Sequence, residues 1–362
     1  DLRMSRGLGD VYKRQYIYLF YKNDMKIIVE NSTWNNVGDG WYQFSLYFML
    51  KECLPQHEVI LGEGPIKRAF RITSSKQMKN ALNWMDYQAG DIHVFSGPLI
   101  PTIDTEYKHT IQEIKKRKKD YVLISASGTG LSKSRVTEIG NFFKKYPPLF
   151  FSSRDEESFN NFSPYIKNSY NGICTAFLVD TNIDIQSYKM EEPFFISSFY
   201  TELEPSYSLQ NNDDVCNIEN LQIEHHKTKF YLPFKIARHL NFMQPQQEYI
   251  GNLKIVRTIQ NLNTRFNHIN FAMPNSFISF NPLSYLEITK SSQFVISDRV
   301  HACAIALACN KPARFLFNTP RAGIFDRMGF DYKSNNGIMY PNIRKIKEER
   351  QLLIKQIIQH IG

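Results

Sequence analysis

The chain has 362 residues, a hydrophobic share of 42% and a formal charge of +9. That length suits two domains of ordinary size. No apolar run approaches the roughly 20 residues needed to span a bilayer. The positive excess favours anionic partners such as phosphorylated substrates, acidic glycans or the inner membrane face; no basic stripe with interleaved aromatics points to nucleic acid.

Residues 1–15 have no apolar periodicity and read as translated adaptor or vector sequence, carrying +2 of the charge. The apolar piece 16–21 is too short for a signal peptide and lacks a small-residue cleavage site. Met25 opens Met-Lys-Ile-Ile-Val-Glu-Asn, a first strand, so the natural start is expected there. Residues 1–24 are read as a non-native or disordered extension.

From that point short β-rich runs alternate with helical patterns. Strands are expected at 26–30, 58–61, 91–96, 121–125, 149–152 and 176–179, and helices at 40–54, 73–87, 104–118 and 132–145. The lysine-rich run 115–119 closes a helix as a solvated last turn. Residues 181–193, with Pro193 breaking the pattern, form the expected junction. Beyond it, strands are expected at 194–199, 277–280, 293–297 and 313–317. Helices are expected at 246–261, from Pro282 and from Arg299, and a final amphipathic one at 343–361. Residues 202–215 look loop-like and 229–232 extended. Strand–helix alternation at this spacing is the pattern of parallel, doubly wound sheets. The fold class is therefore α/β, with two Rossmann-like domains leaving a cleft between their strand ends.

Four motifs follow strands, where open α/β sheets bind ligands. In Asn36-Val37-Gly38-Asp39, Gly38 permits a tight turn and Asp39 either caps a helix or puts a carboxylate in the cleft. Ser127-Gly128-Thr129-Gly130 lacks the spacing of a phosphate loop and reads as a turn or an acceptor contact. In Ser153-Arg154-Asp155-Glu156-Glu157-Ser158, Asp155 can cap a short helix, while Arg154 either pairs locally or clamps an anion. Most informative is Ser297-Asp298-Arg299-Val300-His301, which opens an Ala-rich helix ending before Pro312. Ser297 or Asp298 can cap that helix. Arg299 offers a planar fork of donors matching carboxylate or phosphate, and His301 titrates near neutrality. Together they suggest an anionic substrate that must also be protonated.

The five cysteines, odd in number and irregularly spaced, argue for a reducing, cytoplasmic compartment, with Cys303 and Cys309 as core thiols. No metal-ligand cluster appears; the adjacent His225-His226 point to different sides of any element. Trp34 and Trp41 flank the Gly-Asp turn and suit either sugar stacking or the core.

The segment 297–312, preceded by Pro282-Leu283-Ser284-Tyr285-Leu286-Glu287-Ile288 and followed by Ala313-Arg314-Phe315-Leu316, resembles the C-terminal core of the polysaccharide pyruvyl transferase family. Asn36-Val37-Gly38-Asp39, the run 153–158 and Ala176-Phe177-Leu178-Val179-Asp180 stand in the order that family shows, so the resemblance spans about 25–329. It implies a GT-B-type arrangement, with 25–185 as the acceptor-side domain, 186–340 as the donor-side domain and 341–362 as a C-terminal helix. It also implies phosphoenolpyruvate as co-substrate and a sugar or lipid-linked glycan as acceptor, joined as a ketal, with no other cofactor and no metal. His301 and Asp39 are then the expected catalytic residues. Arg299, Arg154, Ser297 and Gly38 are the expected substrate-binding residues. The alternatives are a GT-B-type glycosyltransferase using a nucleotide sugar and a non-catalytic glycan-binding protein of the same fold. A peripheral contact with the inner membrane face would accompany a lipid-linked acceptor.

Overall fold

A computed structural model describes residues 24–32, 35–70, 72, 74–187, 190–210, 214–225, 246–262, 271 and 273–362. Most of the expected N-terminal extension (1–23), Trp34, His226 and the expected extended run 229–232 lie outside the described residues.

Two sheets, one parallel and one mainly parallel, organise the chain. The first contains β1 (Lys26–Val29), β2 (Glu58–Leu61), β3 (Ile92–Gly97), β4 (Asp120–Ala126), β5 (Phe150–Ser153) and β6 (Ser169–Tyr170), in the order β2-β1-β3-β4-β5-β6. Every pairing in it is parallel. Helices α1 (Val37–Cys53), α4 (Lys108–Lys116), α5 (Lys133–Lys145) and α6 (Glu156–Phe162) cover it, and the short α2 (Ile66–Phe70) and α3 (Ser75–Asn80) lie in the connection between β2 and β3. A short helix α7 (Val179–Asn182) leads towards the second half.

The second sheet holds β7 (Phe194–Ser198), β10 (Tyr249–Ile250), β11 (Leu253–Thr258), β12 (Ser276–Phe277), β13 (Val295–Ser297), β14 (Ala313–Phe315) and β15 (Ile338–Met339). Strands β8 (Ser206–Leu209) and β9 (Leu221–Glu224) pair as a separate hairpin within the stretch 202–215 and beyond, expected to be loop. The sheet's path runs β10-β11-β7-β13-β14-β15, with β12 beside β11. Its central strands are parallel and β10 and β15 are antiparallel edges. Helices α8 (Pro282–Ser291), α9 (Val300–Ala308), α10 (Gly323–Met328) and α11 (Ile343–Ile361) complete the chain. The architecture is α/β with two Rossmann-like units in the GT-B-type arrangement, as expected.

Three expected elements change type. The expected helix 246–261 is the hairpin β10–β11, turned at Gly251 in the left-handed region (φ +51). β11 carries Ile255 and Val256, both buried, and lies between β7 and β12. β-branched residues suit a strand covered on both faces. The expected strand 176–179 is instead a 3-10 turn, Thr175–Leu178, running into α7. Its apolar residues are all buried; a run this short has no period that separates strand from helix. The expected helix 73–87 breaks at Ala81, in the extended region, into α3 and the 3-10 turn Trp84–Asp86.

One continuous apolar cluster joins the two sheets through α1, the 175–182 segment, α8, α9 and α11. Trp41 lies at its centre, 1% exposed, with its indole N–H donating to the Pro282 carbonyl across the halves at 3.0 Å. It is a core residue rather than a sugar platform. The last helix folds back onto the first domain. Ile346, Leu353, Ile357 and Ile361 are buried, Arg350 reaches Glu52 and Asn182, and His360 stacks on Phe150 at 4.8 Å. No described helix is long and apolar enough to cross a membrane.

Candidate active site

In both sheets the chain reverses its direction of strand addition beside the first strand, β1 in one and β7 in the other. Crevices form outside the carboxyl ends of strands at such points. Here the two crevices face each other and enclose a cavity of about 590 Å³. Its wall comes from those strand ends: Ser32, Asn36, Gly38 and Asp39 after β1, Pro98 after β3, Arg154 after β5. From the other half come Thr201 after β7, Gln260 after β11, Asp298–His301 after β13, and Phe317, Thr319 and Arg321 after β14.

The first wall is fixed by the cap of α1. Asn36, extended at φ −136° and ψ 97°, accepts from Gly38 N–H with Oδ1 at 3.2 Å. Asn36, not the expected Asp39, is therefore the N-cap. Asp39 falls in the first turn, where the helix dipole favours a carboxylate, and Asn36 Nδ2 donates to its Oδ1 at 3.2 Å. Asp39 is 4% exposed and faces the cavity.

The second wall starts from Ser297, an expected substrate-binding residue. Its Oγ donates to Ser198 O at 2.6 Å and accepts from Arg299 N–H at 2.8 Å. With no exposed surface, it does not line the cavity but fixes the strand-to-helix turn. Asp298 does not cap α9 either; its carboxylate accepts the backbone N–H groups of Tyr200, Thr201 and Glu202. Burial nonetheless pushes its pKa up. The N-cap position falls on Arg299, whose side chain lines the cavity. It lies over the Tyr200 ring at 4.6 Å and donates to Asn36 Oδ1 at 3.4 Å.

His301 stands between the walls. Its Nε2 is 3.2 Å from Arg154 Nη1, a contact between the two sheets. Arginine only donates, so this contact makes Nε2 the acceptor and places the neutral ring's proton on Nδ1. A methyl group on Gly38 would come 3.7 Å from that Nδ1 and 3.1 Å from Asn36 Oδ1, so the bare glycine keeps this side open. The other side of the ring meets Tyr42 at 5.0 Å. Burial, then Arg154, Arg299 and Arg321, push the His301 pKa well below its ordinary value. These surroundings favour the neutral over the charged imidazole.

Arg154 is 2% exposed, and its Nε, though buried, has no hydrogen-bond partner. It faces the cavity instead of pairing locally, while Asp155 caps α6 as expected by accepting from Ser158 N–H at 2.8 Å. Gln260 Oε1 is likewise buried without a partner. Gly128 and Gly130 N–H donate to Ser158 Oγ and Glu157 Oε1, so that turn is occupied by protein acceptors. Sequence reasoning quoted Asn36 within its motif without giving it a role, and missed Tyr42, Tyr200, Gln260 and Arg321; of these four, Arg321 alone left a readable sign, a cation past a strand end in Thr319-Pro320-Arg321. Among the described residues no His/Cys/Asp/Glu group could hold a metal ion, and all five cysteines are free thiols.

Three guanidinium groups and one imidazole thus surround a polar hollow open to solvent, a setting for a small multivalent anion. The family model described as polysaccharide pyruvyl transferase matches residues 11–318. No curated protein matches. Among solved structures, the chain is similar to S. aureus MnaA in its UDP co-structure (12% identity, TM-score 0.49, 92% of this chain and 91% of that one). It is also similar to UDP-GlcNAc 2-epimerase from Neisseria meningitidis bound to UDP-GlcNAc (10%, 0.49, 92% and 100%). The enzyme of that name from Methanocaldococcus jannaschii is similar as well (9%, 0.44, 91% and 99%).

Proposed function

The chain belongs to the polysaccharide pyruvyl transferase family, and from that premise we propose that it moves a pyruvyl group from phosphoenolpyruvate onto a sugar of a polysaccharide or glycoconjugate as a ketal. The observation that carries this reading is the Arg154–His301 contact inside an arginine-lined interdomain cavity. Phosphoenolpyruvate brings two anionic groups, and Arg154 and Arg299 approach from opposite walls. The unpartnered Nε of Arg154 is one donor for an incoming oxygen.

In the reaction, two acceptor O–H bonds break and two C2–O bonds form, while the C2–O bond to phosphate breaks. One released proton goes to C3, which becomes a methyl group, and the other to the departing phosphate. His301 delivers the proton to C3. It must first become imidazolium, and the 3.2 Å contact with Arg154 opposes that. A bound dianion draws Arg154 to itself and offsets the arginine field, so the pKa of His301 rises when donor is present. Asp39 orients an acceptor hydroxyl or takes its proton. Arg321 adds to the positive field.

The test is His301→Ala and Arg299→Lys, with phosphate release from phosphoenolpyruvate followed in the presence of a panel of lipid-linked or nitrophenyl sugars. Each variant is expected to lose about 10²–10³ in rate, the scale of a lost electrostatic contact in an active site. Lysine keeps the charge of Arg299 but not the planar fork. Undiminished turnover by both folded variants would remove these residues from the mechanism. A thermal shift with UDP-sugars and none with phosphoenolpyruvate would favour a nucleotide-sugar glycosyltransferase instead.

A further inference from the structure

Four of the large hydrophobic side chains that stand exposed among the described residues fall within 70–87: Phe70 (63%), Leu82 (66%), Trp84 (60%) and Tyr87 (63%). The elements carrying them are stitched together. Asn83 Oδ1 accepts from Ile66 N–H at 3.1 Å, and a hollow lined by Ile66, Met78 and Asn83 joins α2, α3 and the 3-10 turn. Helix α3 has no buried residue at all. Between Gly64 and Tyr87 the sequence holds five lysines and arginines against one acidic residue, Asp86. Lys76 and Lys79 are exposed, whereas the half-exposed Lys67 pairs with Glu106 at 3.8 Å.

We propose that this face docks on an anionic lipid bilayer. Indole and phenol rings settle at the boundary of acyl chains and headgroups, and cations beside them meet acidic headgroups. The charge decides the occupant: a second copy of this basic face would repel it, whereas an anionic surface complements it. The face also adjoins the active-site cavity. A Cβ on Gly64 would stand 3.1 Å from the Cβ of Ser32, which lines that cavity, and α2 begins two residues later. A glycan on a lipid carrier would therefore enter from the membrane side; this last step rests on the transferase reading, while the docking itself does not.

The experiment is flotation of the full chain with vesicles of phosphatidylcholine alone and of an equimolar mixture with phosphatidylglycerol, without donor or acceptor. Binding is expected only to the anionic vesicles, weakening as salt rises. Leu82→Ser/Trp84→Ser and Lys76→Glu/Lys79→Glu should each lower it about tenfold or more, given the worth of a single cation near such a surface. Phe280→Ser, which alters an exposed aromatic on the other domain, should leave it unchanged. Circular dichroism establishes that each variant is folded. The proposal is overturned if wild type ignores anionic vesicles, if both double variants float as wild type does, or if sedimentation shows a dimer that Leu82→Ser/Trp84→Ser dissociates. Because no substrate is present, a failed transferase assay leaves this result standing.

Discussion

Replacing Arg154 by Gln removes the positive charge that faces His301 Nε2 at 3.2 Å and leaves an amide of lower bulk in its place. Two unit charges about 4 Å apart repel by about 4 kcal/mol at the effective dielectric of about 20 that suits protein sites. Arg154 is buried and His301 half-buried beside it, so part of that penalty falls on forming the imidazolium. In Arg154→Gln the His301 pKa should therefore climb towards the ordinary histidine range, although burial, Arg299 and Arg321 still hold it down. The direct readout is the histidine NMR titration of the unliganded protein, with His301→Ala identifying the resonance. In parallel, kcat/KM for phosphoenolpyruvate should fall by about 10²–10³, because an anion contact is lost with the charge. A His301 titration identical in wild type and Arg154→Gln would refute the claim that this arginine keeps the imidazole neutral. A rate unchanged in Arg154→Gln would take the arginine out of donor binding.

Gly97 has φ +84, and a Cβ there would come into collision with Tyr42 Oη, so Gly97→Ala should cost about 3 kcal/mol or more from strain and overlap together; a thermal midpoint equal to wild type would contradict this. Glu204 pairs with Arg257 Nε at 2.8 Å, with both side chains at most 10% exposed. Glu204→Ala leaves a buried guanidinium without its carboxylate and should destabilise by about 3–5 kcal/mol in urea unfolding, and a loss under about 1 kcal/mol would show the pair to be dispensable. His93 is pushed down to about 4, chiefly by burial and then by Arg117. Its folded pKa lies below the unfolded value of about 6.5, so the unfolded chain takes up the proton first and stability falls as pH drops from about 6.5 to 4. That loss should reach up to about 3 kcal/mol and shrink in His93→Gln; parallel stability–pH curves for the two proteins would sink the assignment.

The legible parts of this protein were those written in local chemistry. Alternating apolar runs and helical periods located most strands of both sheets. Asp155 as a cap followed from short-range sequence rules. Arg299 and His301 stood out because a fork of donors and a titratable ring opened a helix after a strand. Gln246–Asn261 misled because a β-branched, half-polar run carries no clean helical period, and its pairing with β7 is non-local. Ala176–Val179 misled for a related reason: four buried apolar residues fit a strand or a covered helix equally well.

By itself, then, the sequence determined the α/β class, the two halves and the candidate arginines and histidine, since each is a matter of neighbours along the chain. Only the tertiary structure decided which of those side chains meet. Arg154 and His301 are 147 residues apart in sequence and touch because two sheets bring their strand ends together. Tertiary packing likewise turned Ser297 inward, made Asn36 the cap and gathered the arginines that disfavour a charged His301. A side chain's partners and its solvent are set by what folds against it, and no local pattern encodes them.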